Sequence, residues 1–240
     1  MSDKQYTWEE AVLWLKSQPD KKGLVGDCFY DDPPLESAER YYQSTEWKSV
    51  RDLLGSTSKG KVLDIGAGRG ISTYSFAKDG WQVVALEPDP SDIVGTGAIK
   101  QLQRNGLQIE ISEEYGETLP FPDNSFDLVY GRAVLHHARD LSAFCMEVKR
   151  VLKATGMFLF TREHVISKKE DLDIFLENHP LHFLYKGENA YLLSEYLHFI
   201  SASGLVCKKV LAPFSSDINL FPNSQRELFK SIRGKKRMPW

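Results

Sequence analysis

Apolar residues along this chain gather into short runs that alternate with stretches of helical period, the pattern of a parallel sheet covered on both faces. Val62, Leu63 and Ile65 make the first run, Val83 to Leu86 the next, then Leu128 to Tyr130 and Met157 to Phe160. Strand and helix alternate in this way from Lys61 to Arg162, so an α/β domain is predicted there. Arg150 to Gly156 reads as a helix end and turn, with Gly156 as a left-handed helix cap. Residues 1–60 read as helical pieces broken at Gly23 to Gly26 and Asp31 to Pro34, with Thr7 and Glu10 spaced as a capping box. They are expected to form a cap on the core, residues 61–163. Residues 164–203 are helical again and rich in His, Tyr and Phe, which suits a lid over a substrate site, and residues 204–240 close the chain. A last strand is expected over Leu205 to Leu211, with Ile218 to Phe221, between Pro213 and Pro222, as a short candidate partner.

The densest chemistry lies between the first two apolar runs. Gly66, Gly68 and Gly70 follow the first directly, and glycine lets a backbone turn tightly and approach a ligand closely. The second run ends in Glu87, placed where a carboxylate accepts hydrogen bonds from both hydroxyls of a ribose. A cofactor carrying a nucleoside is therefore expected. The spacing departs from the Gly-x-Gly-x-x-Gly of dinucleotide sites, and Asp64 stands just ahead of it, where an acid suits an ammonium better than a pyrophosphate.

Asp64 with Gly66-Ala67-Gly68-Arg69-Gly70 resembles the first motif of class I S-adenosylmethionine-dependent methyltransferases. Glu117 to Asp127, Gly131 to His137 and Arg150 to Gly156 resemble later segments of that family, in the same order. The resemblance implies a Rossmann-like parallel sheet of about seven strands, with helices on both faces and the last strand antiparallel. It also implies S-adenosyl-L-methionine as cofactor, held by Asp64, Gly66, Ala67, Gly68, Gly70, Glu87, Gly116, Glu117 and Gly131. Asp64 would meet the methionine end and Glu87 the ribose. Tyr115 stands where many relatives carry the Asp that reads adenine, so Tyr115, Glu117 or the Gly116 backbone takes that position here. The implied activity is methyl transfer to a small molecule, as in the broad group that modifies diverse metabolites. An NAD-dependent oxidoreductase and a module that binds the cofactor without catalysis are the alternatives.

In-line methyl transfer from a sulfonium needs mainly positioning and desolvation, with a base for an oxygen or nitrogen nucleophile. Open α/β sheets bind ligands at the C-terminal ends of their strands. His137, Glu163 and His164 fall there and are the candidate catalytic residues, while His136 reads as a packing residue. Arg132 and Arg162 are candidates for a substrate carboxylate or phosphate, or else for internal ion pairs. His182 of the lid and Tyr41 of the cap complete the substrate set, with Tyr41 and Trp47 readable equally as cover for the cofactor or as core. His179, His182 and Glu188 would be metal ligands only without the helical i, i+4 spacing of a His-x-x-x-His site, and no metal is assigned.

At 240 residues and a formal charge of −3, the chain fits one α/β domain with additions and shows no strong attraction to polyanions. Neither a nucleic-acid partner nor a membrane is expected, and Lys230, Arg233, Lys235, Lys236 and Arg237 read as a solvated basic tail. Cys28, Cys145 and Cys207 form neither a disulfide framework nor a metal spacing, and the N-terminus has no export pattern, so a cytoplasmic setting is expected.

Overall fold

The computed structural model describes residues 5–55 and 59–235, with side chains to residue 232. Lys236 and Arg237 of the basic tail, and the side chains of Arg233 and Lys235, lie outside the described residues. The helices α1 (Trp8–Ser17), α2 (Lys22–Asp27), α3 (Pro34–Tyr42) and α4 (Thr45–Leu54) come first. Thr7 and Glu10 close a reciprocal capping box on α1. The sheet follows as β1 (Lys61–Ile65), β2 (Gln82–Leu86), β3 (Ile109–Ser112), β4 (Phe126–Arg132) and β5 (Leu152–Thr161), in the order β3-β2-β1-β4-β5. Every neighbouring pair is parallel. Helix α5 (Ile71–Lys78) crosses from β1 to β2, α6 (Thr96–Gln103) from β2 to β3, and α7 (Leu141–Val151) from β4 to β5.

Because side chains alternate across a strand, β1 serves two cores. Leu63 and Ile65 pack with Phe144 and Val148 of α7, while Val62 packs on the other face with Trp47 and Val50 of α4 and Phe76 of α5. That second core is largely aromatic. Phe76 meets Trp47 edge-on at 4.8 Å, Tyr130 at 5.1 Å and Trp81 at 5.8 Å. The strand order reverses between β1 and β4, which opens a crevice beyond their C-terminal ends.

Past β5 the chain forms β6 (Val165–Ile166), α8 (Asp171–Asn178), α9 (His182–Tyr185) and β7 (Tyr191–Leu192), with β6 and β7 making a small parallel pair. Helix α10 (Leu193–Ala202) buries Tyr196 and Ile200 in the α7 core. The described chain ends in α11 (Asp217–Leu220) and α12 (Gln225–Lys235). Among the described residues, no helix is long and apolar enough to cross a membrane.

Four expectations are corrected. The main sheet has five strands, all parallel, not about seven with an antiparallel last strand. Leu205 to Leu211 forms no ladder: Leu205 is buried, but Val206 is 72% exposed and Lys208-Lys209 breaks the alternation that a half-buried strand needs. Ile218 to Phe221 is mostly helix, because Ser216 caps it by accepting from the Ile218 N–H at 3.1 Å, and Ile218 and Phe221 then pack into the aromatic core. Gly156 is not a helix cap. It lies inside β5, where a Cβ would come within 2.8 Å of the Leu152 side chain, so close approach and not left-handed backbone selects glycine.

Phe76→Ala should lower unfolding stability by about 3–5 kcal/mol. A urea denaturation midpoint unchanged from the parent would contradict its central place in the core.

Candidate active site

The turn after β1 is built from left-handed glycines. Gly66, Gly68 and Gly70 have φ of 66°, 54° and 85°, a region that side-chain-bearing residues rarely enter. A Cβ on Gly66 would also come within 2.3 Å of Val134, whereas at Gly68 the nearest atom would be 3.7 Å away. A Cβ at Gly68 would thus make only ordinary contact with the Val94 carbonyl, and the left-handed backbone of Gly68 is what selects glycine. Its N–H donates to Glu87 Oε2 at 2.8 Å, and the Asp89 N–H donates to Oε1 at 3.0 Å. Burial raises the Glu87 carboxyl to about 7, with these two N–H groups pulling the other way. A carboxylate has about four acceptor positions, so two remain for a ligand. The cap clamps the turn from outside: Arg69 donates to the Phe29 carbonyl at 3.2 Å and pairs with Asp32 at 2.8 Å, and Lys16 pairs with the same Asp32.

Asp64 sits one step behind the turn. Its Oδ2 accepts from Ser72 and Thr73 hydroxyls at 2.8 and 2.5 Å at the start of α5, while its buried Oδ1 has no partner. Burial raises its carboxyl to about 6 against the pull of those hydroxyls. An unpaired buried oxygen of this kind suits a cation or donor brought by a ligand, although Asp64 itself does not line the cavity.

That cavity, of about 1840 Å³, is lined by Gly66, Gly68 and Glu87 and also by Arg132, Arg162, His136, His137, His164 and Glu188. Ala133 and Arg162, just past β4 and β5, hold left-handed φ of 56° and 60°, and the Ala133 N–H donates to the Thr161 carbonyl at 2.7 Å. Such strained residues cluster where a strand end aims its side chains. Arg132 grips Glu46 of α4 with two hydrogen bonds, 2.6 and 3.1 Å long, and Arg162 approaches the same carboxylate at 3.6 Å while donating to the Ile218 carbonyl at 2.9 Å. Glu46 is fully buried. Burial opposes the Arg132 charge, yet the Glu46 carboxylate holds its pKa above the ordinary arginine value. Two arginines against one carboxylate leave the group net positive.

Glu163 does not pair with Arg162. It accepts from the Val134 and His136 N–H groups at 3.1 and 3.2 Å and from the His136 ring at 2.8 Å. Next to it the His164 ring stacks on His136 with centroids 3.9 Å apart, and Glu188 comes within 3.5 Å of both His164 and His179. Tyr185 donates to Glu188. Burial lowers the His136 ring to about 3 and the His164 ring to about 4, so both are neutral imidazoles near neutral pH. His137 is exposed and its Nδ1 lies 3.2 Å from the Gly187 carbonyl, which only accepts, so Nδ1 carries the proton and Nε2 is left as a base.

Other candidates fall elsewhere. Tyr41 is fully buried against Phe29 and Trp47 and hydrogen-bonds Tyr130, so it is a core residue away from the cavity wall. His182 lies on α9 and does not line the cavity. Gly116 and Gly131 are glycines because a Cβ would strike Phe144 or Phe160. Glu117 lines the cavity but accepts the Arg139 N–H at 2.7 Å, and Tyr115 lies exposed beneath the Arg139 guanidinium at 4.4 Å. The groups that sequence reasoning passed over are Glu46 and His136. Glu46 stands one turn before Val50 on the buried face of α4, and an acid on an apolar face is a signal that it has a buried partner.

Residues 63–160 match the family described as a methyltransferase domain. The chain is 34% identical over 164 residues to the uncharacterized methyltransferase YcgJ of Bacillus subtilis (strain 168), a match covering 62% of this chain and 60% of that protein. It is 30% identical over 118 residues to a demethylmenaquinone methyltransferase of Tropheryma whipplei (strain Twist), covering 48% of this chain and 47% of the relative. The crystal structure of Bacillus subtilis YcgJ superposes with a TM-score of 0.58 at 26% identity, over 68% of each chain. Over residues 63–160 the chain is thus similar, in sequence and in fold, to methyltransferase domains. The chain spans about half to three fifths of the length of these curated relatives.

Glu46→Ala should destabilise the protein by about 3–5 kcal/mol, because it leaves Arg132 buried without its counter-charge. Denaturant unfolding measures this, and a loss below about 1 kcal/mol, the level of a surface pair, would contradict the buried pairing.

Proposed function

We propose that the protein transfers a methyl group from S-adenosylmethionine to a small-molecule acceptor that carries a negative charge. The observation carrying the reading is the closure of Glu87 onto the left-handed glycine turn, in the wall of a cavity also lined by polar groups past β4 and β5. When bound, S-adenosylmethionine supplies an electrophilic methyl on a sulfonium whose leaving group is a neutral thioether.

In this reading Glu87 accepts from the ribose hydroxyls, and the backbone at Gly66, Ala67 and Gly68 lies along the cofactor while Gly70 ends the turn as the N-cap of α5. The unpaired Asp64 oxygen favours the ammonium end electrostatically, and Gly116, Glu117 and Tyr115 border the adenine side. Arg162 and Arg132 meet the acceptor's anionic group with the positive charge that Glu46 does not balance. His137 Nε2 takes the proton from an oxygen or nitrogen nucleophile. Glu163 is a positioning residue, since its oxygens are committed to Val134 and His136, and Gly131 lets Val134 and Phe160 pack closely where β4 ends. His164 belongs to the acceptor end of the cavity. The dinucleotide reading has no comparable support, because the turn lacks the third glycine at dinucleotide spacing. The three cysteines are free, which favours a cytoplasmic setting.

Glu87 gives the experiment its sign. Its folded pKa near 7 lies above the ordinary 4.5, so the unliganded protein holds the proton at pH 6 and releases it by pH 8. Ribose hydroxyls donate to the ionised form, so S-adenosylhomocysteine should bind about tenfold more tightly at pH 8 than at pH 6. In Glu87→Gln that dependence should shrink to the roughly twofold that Asp64, raised to about 6, still contributes, and affinity at pH 8 should fall by about 1.5–3 kcal/mol. Calorimetric titration at the two pH values reads both, and equal pH dependence in the two proteins would contradict the role given to Glu87. A second prediction concerns the base: His137→Ala should lower turnover by about 10²–10⁴-fold while leaving S-adenosylhomocysteine binding near normal. Methyl transfer from labelled cofactor to a panel of small carboxylates and phosphates measures it, and an unchanged rate would remove His137 from the proton path.

A further inference from the structure

We propose that His136, His164 and Glu188 form a binding site for a divalent cation of the zinc or ferrous-iron type, in the wall of the cavity that the glycine turn also lines. Their ligand atoms lie within 4.8 Å of one another. Glu188 Oε2 is 3.5 Å from His164 Nδ1 and 3.8 Å from His136 Nε2. These separations are too long for hydrogen bonds. They match a shared cation: two donors each about 2.1 Å from a tetrahedral metal are themselves about 3.4 Å apart.

Two further observations point the same way. His164 Nδ1 and Glu188 Oε2 are both buried and have no hydrogen-bond partner, although they face each other. Buried polar atoms are rarely left so. In addition, His136 is oriented as a metal-bound histidine is: its Nδ1–H donates to Glu163 at 2.8 Å, which fixes the tautomer with Nε2 free toward Glu188. The other Glu188 oxygen accepts from Tyr185 and lies 3.5 Å from His179, so the carboxylate is held from behind as well. Two imidazoles with one carboxylate favour zinc, iron, cobalt or nickel over magnesium or calcium, which prefer all-oxygen sets.

The His136 and His164 planes are 22° apart and stacked, so binding requires the His164 ring to swing away from its neighbour. Three protein donors leave a coordination position free, and all three residues line the cavity that also reaches Gly68 and Glu87. That position suits an acceptor oxygen, an assignment that rests on the methyl-transfer reading, whereas cation binding does not.

The test is titration of the chelator-treated full-length protein with Co2+, followed by its visible absorption, and then displacement by Zn2+. One equivalent should give saturable ligand-field bands that Zn2+ removes. His164→Ala and Glu188→Gln should each weaken Co2+ binding by about tenfold or more, Glu163→Gln by about 10–100-fold, and His198→Ala, on an exposed histidine of α10, should have no effect. Circular dichroism and S-adenosylhomocysteine binding identify any variant that fails to fold; the wild-type cobalt spectrum decides in that case. No saturable bands with the wild-type protein, or binding unaltered in folded His164→Ala and Glu188→Gln, would overturn the site. Because the readout needs no cofactor, its failure is separate from a failure of the methyl-transfer reading.

Discussion

A parallel sheet delivers the C-terminal end of every strand to one edge, and most polar groups of the cavity ride on segments at or leaving that edge. The glycine turn follows β1, Glu87 follows β2, Arg132 to His137 end and follow β4, and Arg162 to His164 follow β5. With β1 and β4 adjacent and the chain reversing its order between them, these segments converge on one cavity without any long-range coincidence in the sequence. The aromatic core around Phe76 and the aliphatic core around α7 hold the two faces, and so fix where the edge points.

Buried charge at this edge is handled in two ways. Where the protein supplies a partner, as Glu46 does for Arg132, the ions are locked and the N-terminal helices are tied to the sheet. Where it supplies none, as at Asp64 Oδ1 or between His164 and Glu188, a polar atom is kept from water with its bonding capacity unused. Unpaired buried groups of this kind are costly, and a structure that keeps them at the wall of a cavity, as with His164 and Glu188, or just behind it, as with Asp64, suits ligands that carry the missing charge or donor. The helical cap adds to that order by pinning the glycine turn through Arg69 and Asp32.

Much of the core was legible in sequence because its signals are local. A short apolar run followed by glycines, then a second run closed by an acid, describes β1, the turn, β2 and Glu87 without any tertiary knowledge. Thr7 and Glu10 announced a helix start for the same reason. What was not legible depended on distant partners. Glu46 and Arg132 are far apart in the chain, and His136 was assigned to packing because nothing nearby shows Glu163 and Glu188 arriving from later segments. Residue type alone puts Tyr41 and His182 at a substrate site, but Tyr41 is buried in the core and His182, on α9, does not line the cavity. The end of the chain misled for a physical reason: Leu205 to Leu211 has strand-forming residues, but its paired lysines give it no face to bury, and the Ser216 cap turns the next apolar stretch into helix.

The central claim is that the turn and Glu87 form a pocket for the nucleoside of S-adenosylmethionine and not for a dinucleotide. The most direct measurement is parallel calorimetric titration of the full-length protein with S-adenosylhomocysteine and with NAD. One-to-one binding of S-adenosylhomocysteine in the micromolar range, with no heat from NAD, is the predicted result, and binding of NAD alone would contradict the account.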